Sequence, residues 1–203
     1  MEGNGKYIYE DGDYYIGDFI NGLKHGKGIL YYKNGNIQYE GDFINGKREG
    51  KGKYIYEDGE YYIGEFINGY NNGKGILFYK NGNIKYEGDF VNGYYEGNGK
   101  YIFENGEYYI GELLNGYKHG KGKIYYKNGN IKYEGDFINN KIEGNGKLIY
   151  EDSEYYIGEF LNGFLHGKGM MYYKNGNIKY NGYYVNGNME GNSIYYYEKV
   201  IIL

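Results

Sequence analysis

The chain predicts an all-β fold, an elongated single-layer antiparallel meander of repeated β-hairpins. Three observations predict it: a fixed short period, strand-type alternation within each period, and Asn-Gly turn signals between the alternating runs. The period is carried by Tyr-X-Gly, which starts at Tyr15, Tyr39, Tyr62, Tyr86, Tyr109, Tyr133, Tyr156 and Tyr180, in steps of 23 or 24 residues. Such a short period describes a quasi-one-dimensional array whose units are too small to fold alone and are stabilised by their neighbours. Function is therefore sought on a long surface and not in a pocket.

Residues 15–38 illustrate one unit. Along the first strand, Tyr15, Gly17 and Phe19 share one face, and Ile16, Asp18 and Ile20 the other. A second strand over residues 26–32 sets Gly26, Gly28, Leu30 and Tyr32 against Lys27, Ile29 and Tyr31. Asn21-Gly22-Leu23-Lys24-His25 joins them, and Lys33-Asn34-Gly35-Asn36 leads to the next unit. Asn-Gly is a strong hairpin signal because both residues tolerate positive φ. Helices are disfavoured, since Ala is absent and each interior Gly costs a helix about 1 kcal/mol.

Glycine also weakens a strand interior, so its recurrence needs a cause. The expectation is that Tyr15 and Phe19 lie across the bare backbone of Gly26 and Gly28 on the partner strand. The packed face then comprises Tyr15, Phe19, Tyr39, Phe43, Tyr62, Phe66, Tyr86, Phe90, Tyr109, Tyr133, Phe137, Tyr156, Phe160 and Tyr180, with Leu113 and Tyr184 at two Phe positions. Residue types on this face hardly vary between units, which favours a structural role. Residues 1–14 read as a trailing half-unit, 15–192 as eight repeats, and 193–203 as a C-terminal cap strand.

The pattern Tyr-X-Gly-(Asp/Glu)-Phe-X-X-Gly-X-X-His-Gly-X-Gly, seen from Tyr15 through Gly28, resembles the MORN (membrane occupation and recognition nexus) repeat. The resemblance covers essentially the whole chain. It implies a twisted hairpin meander with an aromatic-lined groove, and a scaffold or membrane-proximal tether at a membrane or cytoskeletal structure. Departures are local: Asn72 replaces the turn His, Leu113 the Phe, Asn140 the turn Gly and Ser153 an inter-repeat Gly.

With His neutral, net charge alternates in sign from each unit to the next. Odd units end in turns with Lys33, Lys80, Lys127 or Lys174, and even units in acidic turns such as Glu57-Asp58-Gly59-Glu60. Neighbouring turns are about 10 Å apart, so single exposed pairs contribute little. The alternation instead penalises a one-repeat slip.

Catalytic readings fail on spacing. His25, His119 and His166 occupy the same turn position in different units and do not converge; the expected role is to satisfy the turn. Glu49, Glu96, Glu143 and Glu190 alternate with them. Glu10-Asp11-Gly12-Asp13 lacks the ligand spacing of a calcium loop, and Gly26-Lys27-Gly28 has no helix behind it to cradle phosphate. No catalytic residue, metal site or cofactor is expected. Zero Cys excludes disulfides, and no apolar run approaches the ~20 residues of a membrane-spanning helix. No basic-plus-apolar leader is present, so a cytoplasmic location, at a membrane or cytoskeletal structure, is expected.

Protein partners are expected, with peptide capture along the aromatic face as the working mode. A net charge of -4 opposes polybasic membrane binding, leaving a phosphoinositide-binding module that recognises the headgroup stereospecifically as the alternative function, or weak or indirect lipid contact through partners. Nucleic acid is disfavoured for want of a positive groove. The last strand, residues 194–203, is a sparsely charged edge, so homodimerisation through Ile194, Tyr196, Val200 and Ile202 is expected.

Overall fold

In a computed structural model of the chain, the described residues, 2–197, form strands and turns without a helix. Two compact units divide between Tyr101 and Ile102. The first holds β1 (Gly3–Ile8), β2 (Tyr14–Ile20), β3 (Leu23–Tyr31), β4 (Ile37–Ile44), β5 (Lys47–Ile55), β6 (Tyr61–Ile67), β7 (Tyr70–Phe78), β8 (Ile84–Val91) and β9 (Tyr94–Ile102), which ends at the division. The second holds β10 (Tyr108–Leu114), β11 (Tyr117–Tyr125), β12 (Ile131–Ile138), β13 (Lys141–Ile149), β14 (Tyr155–Leu161), β15 (Phe164–Tyr172), β16 (Ile178–Val185) and β17 (Asn188–Tyr195). Within each unit, strands pair antiparallel in chain order, as an open meander.

The hairpin connection is shorter than the sequence suggests. Only Asn21 and Gly22 turn, with φ of 50° and 75°, the paired positive values of a two-residue hairpin. Leu23, Lys24 and His25, expected in the loop, pair with Ile20, Phe19 and Asp18. What lets strand β3 start early is a bulge at Gly26, whose φ is 62°. Register passes from Asp18↔His25 to Gly17↔Gly28, so Gly26 and Lys27 have no partner on β2 and pair with β4 instead.

The inter-hairpin turn closes when Gly35 N donates to Tyr32 O at 2.8 Å and Tyr32 N to Asn36 O at 2.9 Å, with Gly35 at φ 87°. Charges at these turns pair more specifically than expected. The partners are not Lys33 or Lys80 but lysines one strand further on. Lys85 meets Glu60 at 2.7 Å in the first unit; in the second, Lys132 meets Glu107 at 2.6 Å and Lys179 meets Glu154 at 2.5 Å. Their side chains are only 20–34% exposed, so desolvation strengthens attractions that open turns would lose to water. In the equivalent slot Gln38 Nε2 donates to Asp13 Oδ2 at 3.5 Å.

Ser153 occupies the turn position that Gly holds elsewhere and is forced to φ 72°, while its N donates to Tyr150 O. A left-handed backbone costs a β-carbon-bearing residue about 1 kcal/mol. Ser153→Gly is therefore expected to raise stability by about 0.5–1 kcal/mol, read as a higher urea midpoint with unchanged slope.

Candidate functional site on the aromatic face

Seven of the eight hairpins are built on one tyrosine lying flat over two glycines. Gly17 and Gly28 face each other across β2 and β3, and a β-carbon on either would overlap the Tyr15 ring. The Tyr15 hydroxyl reaches back and donates to Asp18 O at 3.2 Å. The arrangement repeats at Tyr39, Tyr62 and Tyr86 in the first unit, and at Tyr109, Tyr133 and Tyr156 in the second. Tyr180 makes the same backbone bond, to Tyr183 O.

The expectation for Phe needs correcting. Phe19 does not lie over Gly26 of its own hairpin; Gly26 pairs with Phe43, one hairpin later, and Phe19 pairs with Lys24. Each Phe thus bridges hairpins. Phe43 stands edge-on between Tyr15 at 5.0 Å and Tyr39 at 5.1 Å, Phe66 between Tyr39 and Tyr62, and Phe90 between Tyr62 and Tyr86. In the second unit Phe137, Phe160 and Tyr184 continue the pattern. T-shaped pairs of this kind contribute about 0.5–1.5 kcal/mol each beyond burial.

The predicted face is therefore one stripe in each unit, and it is closed to ligands. Its tyrosines from Tyr15 to Tyr156 are 0% exposed, Tyr180 is 2%, and its phenylalanines are at most 4%. Leu113 and Tyr184, at Phe positions, are buried as well.

A different row covers the stripe. Directly across from each Phe position stands the second residue after the Asn-Gly turn: Lys24, Arg48, Asn71 and Tyr95 in the first unit, then Lys118, Ile142, Leu165 and Met189 in the second. All are partly exposed. The expectation that residues on this face hardly vary is thus overturned at this position, where eight hairpins use seven residue types. Sequence reasoning missed the row because it placed these residues in a loop. Aligning units on Tyr and seeking the column that changes while its neighbours do not would have found it.

The backbone explains why this column is free to change. The carbonyl of the row residue accepts from the turn N–H of the next hairpin: Gly46 N to Lys24 O, Gly69 N to Arg48 O, Gly93 N to Asn71 O, and likewise Gly163 N to Ile142 O. Main-chain bonds hold the position, so its side chain carries no structural duty shared by all hairpins.

Cations in the row lie on the rings beneath. Lys24 Nζ sits 5.3 Å from the Phe43 centroid and donates to Tyr9 Oη at 2.7 Å. Arg48 Cζ lies 4.5 Å from the Tyr54 centroid, and its Nη2 donates to Gly69 O. The Tyr95 ring packs 4.1 Å from Tyr86. Burial first, and the Arg48 charge second, hold Lys24 below the ordinary lysine pKa; burial does the same to Lys118.

The other candidates fall to structural roles. His25, His119 and His166 do not satisfy their turns through Nδ1, which is buried without a hydrogen-bond partner; Tyr156 Oη instead donates to the His166 carbonyl. Glu49 and Glu143 cap the following hairpin turn, accepting from Asn68 N at 2.9 Å and Asn162 N at 2.8 Å. Among the described residues no group of His, Asp and Glu could hold a metal ion. Of the dimer candidates, Ile194 pairs with Asn181 and is 56% exposed, and Tyr196 is 42% exposed; Val200 and Ile202 lie outside the described residues.

The profile of the MORN repeat matches residues 1–14, 15–37, 39–61, 62–84, 86–108, 109–131, 133–155 and 156–178. No curated protein matches the chain. Among solved structures, a virginiamycin B lyase from Staphylococcus aureus aligns at 17% identity over 90% of this chain and 56% of its own, with a TM-score of 0.20.

The buried stripe has a titration consequence. Burial above all, then the charge of Asp18 and the neighbouring Tyr9, pushes Tyr15 up from 10.0 to about 12, and the other stripe tyrosines with resolved shifts are raised for the same leading reason. A folded pKa above the unfolded one gives stability that is complete below pH 10 and is lost as pH climbs from there towards 12. Circular dichroism should show a cooperative alkaline loss of strand signal in that window, coincident with a sharp step in phenolate absorbance; strand signal unchanged to pH 12 would contradict the burial.

Proposed function

The chain belongs to the MORN repeat family, whose repeats are protein- and membrane-interaction modules and typically non-enzymatic, and we propose that it is a scaffold that takes an extended segment of a protein partner across its aromatic face. The observation that carries this reading is the variable row. A side chain that only stabilised the hairpin would be chosen alike each time, as Tyr and Phe are. The position that changes is the one held by backbone bonds and left partly open.

Geometry supports an extended occupant. Successive row positions are two strands apart, about 10 Å, and one turn of polyproline II chain, three residues and about 9 Å, spans nearly the same distance and brings its side chains back to the same side. A segment crossing the strands therefore offers one side chain to each hairpin. The buried Tyr and Phe stripe supplies the rigid floor, and the row supplies selectivity.

The same reading assigns the chain to spacing or tethering partners at a membrane or cytoskeletal structure in the cytoplasm. No helix among the described residues is long and apolar enough to cross a bilayer, and the net charge of -4 argues for recruitment through protein partners. Self-association at Ile194 and Tyr196 would multiply the available faces.

Photo-crosslinking tests the reading. A crosslinking side chain at Tyr95, on the aromatic face, is expected to capture a polypeptide partner in cells. The same group at Ile63, 45% exposed on the opposite face, is expected to capture it weakly or not at all. Equal yields, or capture from Ile63 alone, would contradict the assignment.

A further inference from the structure

We propose that Lys24 and Arg48 form an anion-reading subsite on the aromatic face of the first unit, selecting a partner segment with acidic side chains at this end and apolar ones towards Tyr95. The proposal rests on the reading of that face as a peptide-binding surface and names the chemistry of its occupant.

Three observations on the pair carry it. First, both cations stand on the same face in consecutive hairpins, opposite Phe19 and Phe43. Second, neither forms an ion pair with a carboxylate of the described residues, whereas Lys27, Lys74 and Lys85 of the same unit each do. Third, both have donors to spare. Lys24 spends one of its three N–H groups on Tyr9 Oη, and Arg48 spends one of its five on Gly69 O.

Two partly buried cations side by side without a counter-ion are an unfavourable arrangement that an incoming carboxylate relieves. The lowered pKa of Lys24, caused by burial and then by Arg48, reports the same tension. The rings below add attraction to the cations without neutralising them: Lys24 Nζ is 5.8 Å from the Tyr15 centroid, and Arg48 Cζ is 5.7 Å from that of Tyr39. A carboxylate placed on these donors would gain charge-assisted hydrogen bonds on a low-dielectric floor.

The row then changes character. Asn71 is neutral and donates to Tyr56 Oη at 3.1 Å, and Tyr95 presents a ring packed on Tyr86 and Phe90. Acidic residues therefore match one end and apolar residues the other, at every third position of a segment in the polyproline II conformation, whose side chains repeat every three residues. A phospholipid surface fits less well. The turns at the far ends of the same strands carry Asp11, Asp13 and Glu57, so a broad sheet of anionic headgroups laid over the face would meet carboxylates as well as the two cations, whereas a single narrow chain meets the cations alone.

The test uses the full chain and a blocked ten-residue probe, Glu-Ser-Ser-Glu-Ser-Ser-Leu-Ser-Ser-Leu, alongside a version with Gln for Glu, followed by fluorescence anisotropy and by NMR of the Arg48 side chain. Saturable binding of the acidic probe, with Arg48 perturbed and affinity lowered about tenfold by the Gln exchange, is expected. The double variant Lys24→Gln/Arg48→Gln should erase the difference between probes. The charge-reversed Lys24→Glu/Arg48→Glu should prefer a probe with Lys for Glu, a gain that misfolding cannot produce. Equal binding of both probes, weakened by Tyr95→Ala, would overturn the subsite and leave the peptide-binding face standing. No saturable binding of either probe would overturn the proposal, with the crosslinking yield at Tyr95 deciding the broader reading separately. Binding to phosphatidylserine vesicles that depends on Lys24 and Arg48, without binding to the probe, would replace the peptide with a membrane surface.

Discussion

The fit of a tyrosine ring over two facing glycines is the constraint from which the rest of the fold follows. In an open sheet no second layer is available to bury an apolar face, so the sheet has to carry its own cover. Removing two β-carbons on adjacent strands opens a trough one ring wide. Tyr62 lies in that trough over Gly64 and Gly75, and its hydroxyl meets the Glu65 carbonyl at 3.0 Å where the bulge begins. The ring therefore buries its faces and satisfies its polar end within a single hairpin. Phe66 and Phe90 then have flat edges to pack against, which ties one hairpin to the next.

Much of this was legible in the sequence because a repeated unit multiplies weak signals. Alternation of Tyr15, Gly17 and Phe19 identified the packed face, and Asn-Gly identified the turn. What stayed hidden came from register. Gly26 looked like an ordinary strand glycine, and only its positive φ reveals the bulge that moves Leu23, Lys24 and His25 from loop to strand. That shift also reassigned the Phe contacts to the neighbouring hairpin. The charge pattern was visible, but its pairing was not: Glu60 selects Lys85 because strand register brings them together, while Lys80, nearer in sequence, belongs to the turn itself.

The same mechanics separate stability from recognition. The Tyr position is the same in every hairpin, the Phe position changes only to Leu113 and Tyr184, and all are inaccessible, so they set rigidity and spacing. The second residues after the hairpin turns are at least partly exposed and span seven residue types in eight hairpins, and Lys24, Arg48, Asn71, Lys118, Ile142 and Leu165 are held through their carbonyls. A designer wishing to vary a surface without disturbing its support would choose such positions. Within the first unit the row runs from Lys24 and Arg48 to Asn71 and Tyr95; within the second it runs from Lys118 to Ile142, Leu165 and Met189. Each unit thus passes from charged to uncharged along its own length, which suits an occupant with a direction.

A double-mutant cycle on Tyr62 and Gly75 measures the central constraint most directly. A β-carbon at Gly75 would overlap the Tyr62 ring, whose hydroxyl is tied to the Glu65 carbonyl. Gly75→Ala alone is expected to destabilise the chain by about 3 kcal/mol in urea unfolding, in the range of core overpacking. In a Tyr62→Ala background, where the trough is empty, the same exchange should cost close to nothing, giving a coupling of about 2–3 kcal/mol. Equal cost of Gly75→Ala in both backgrounds would contradict the account, because it would show that the glycine serves the backbone and not the ring.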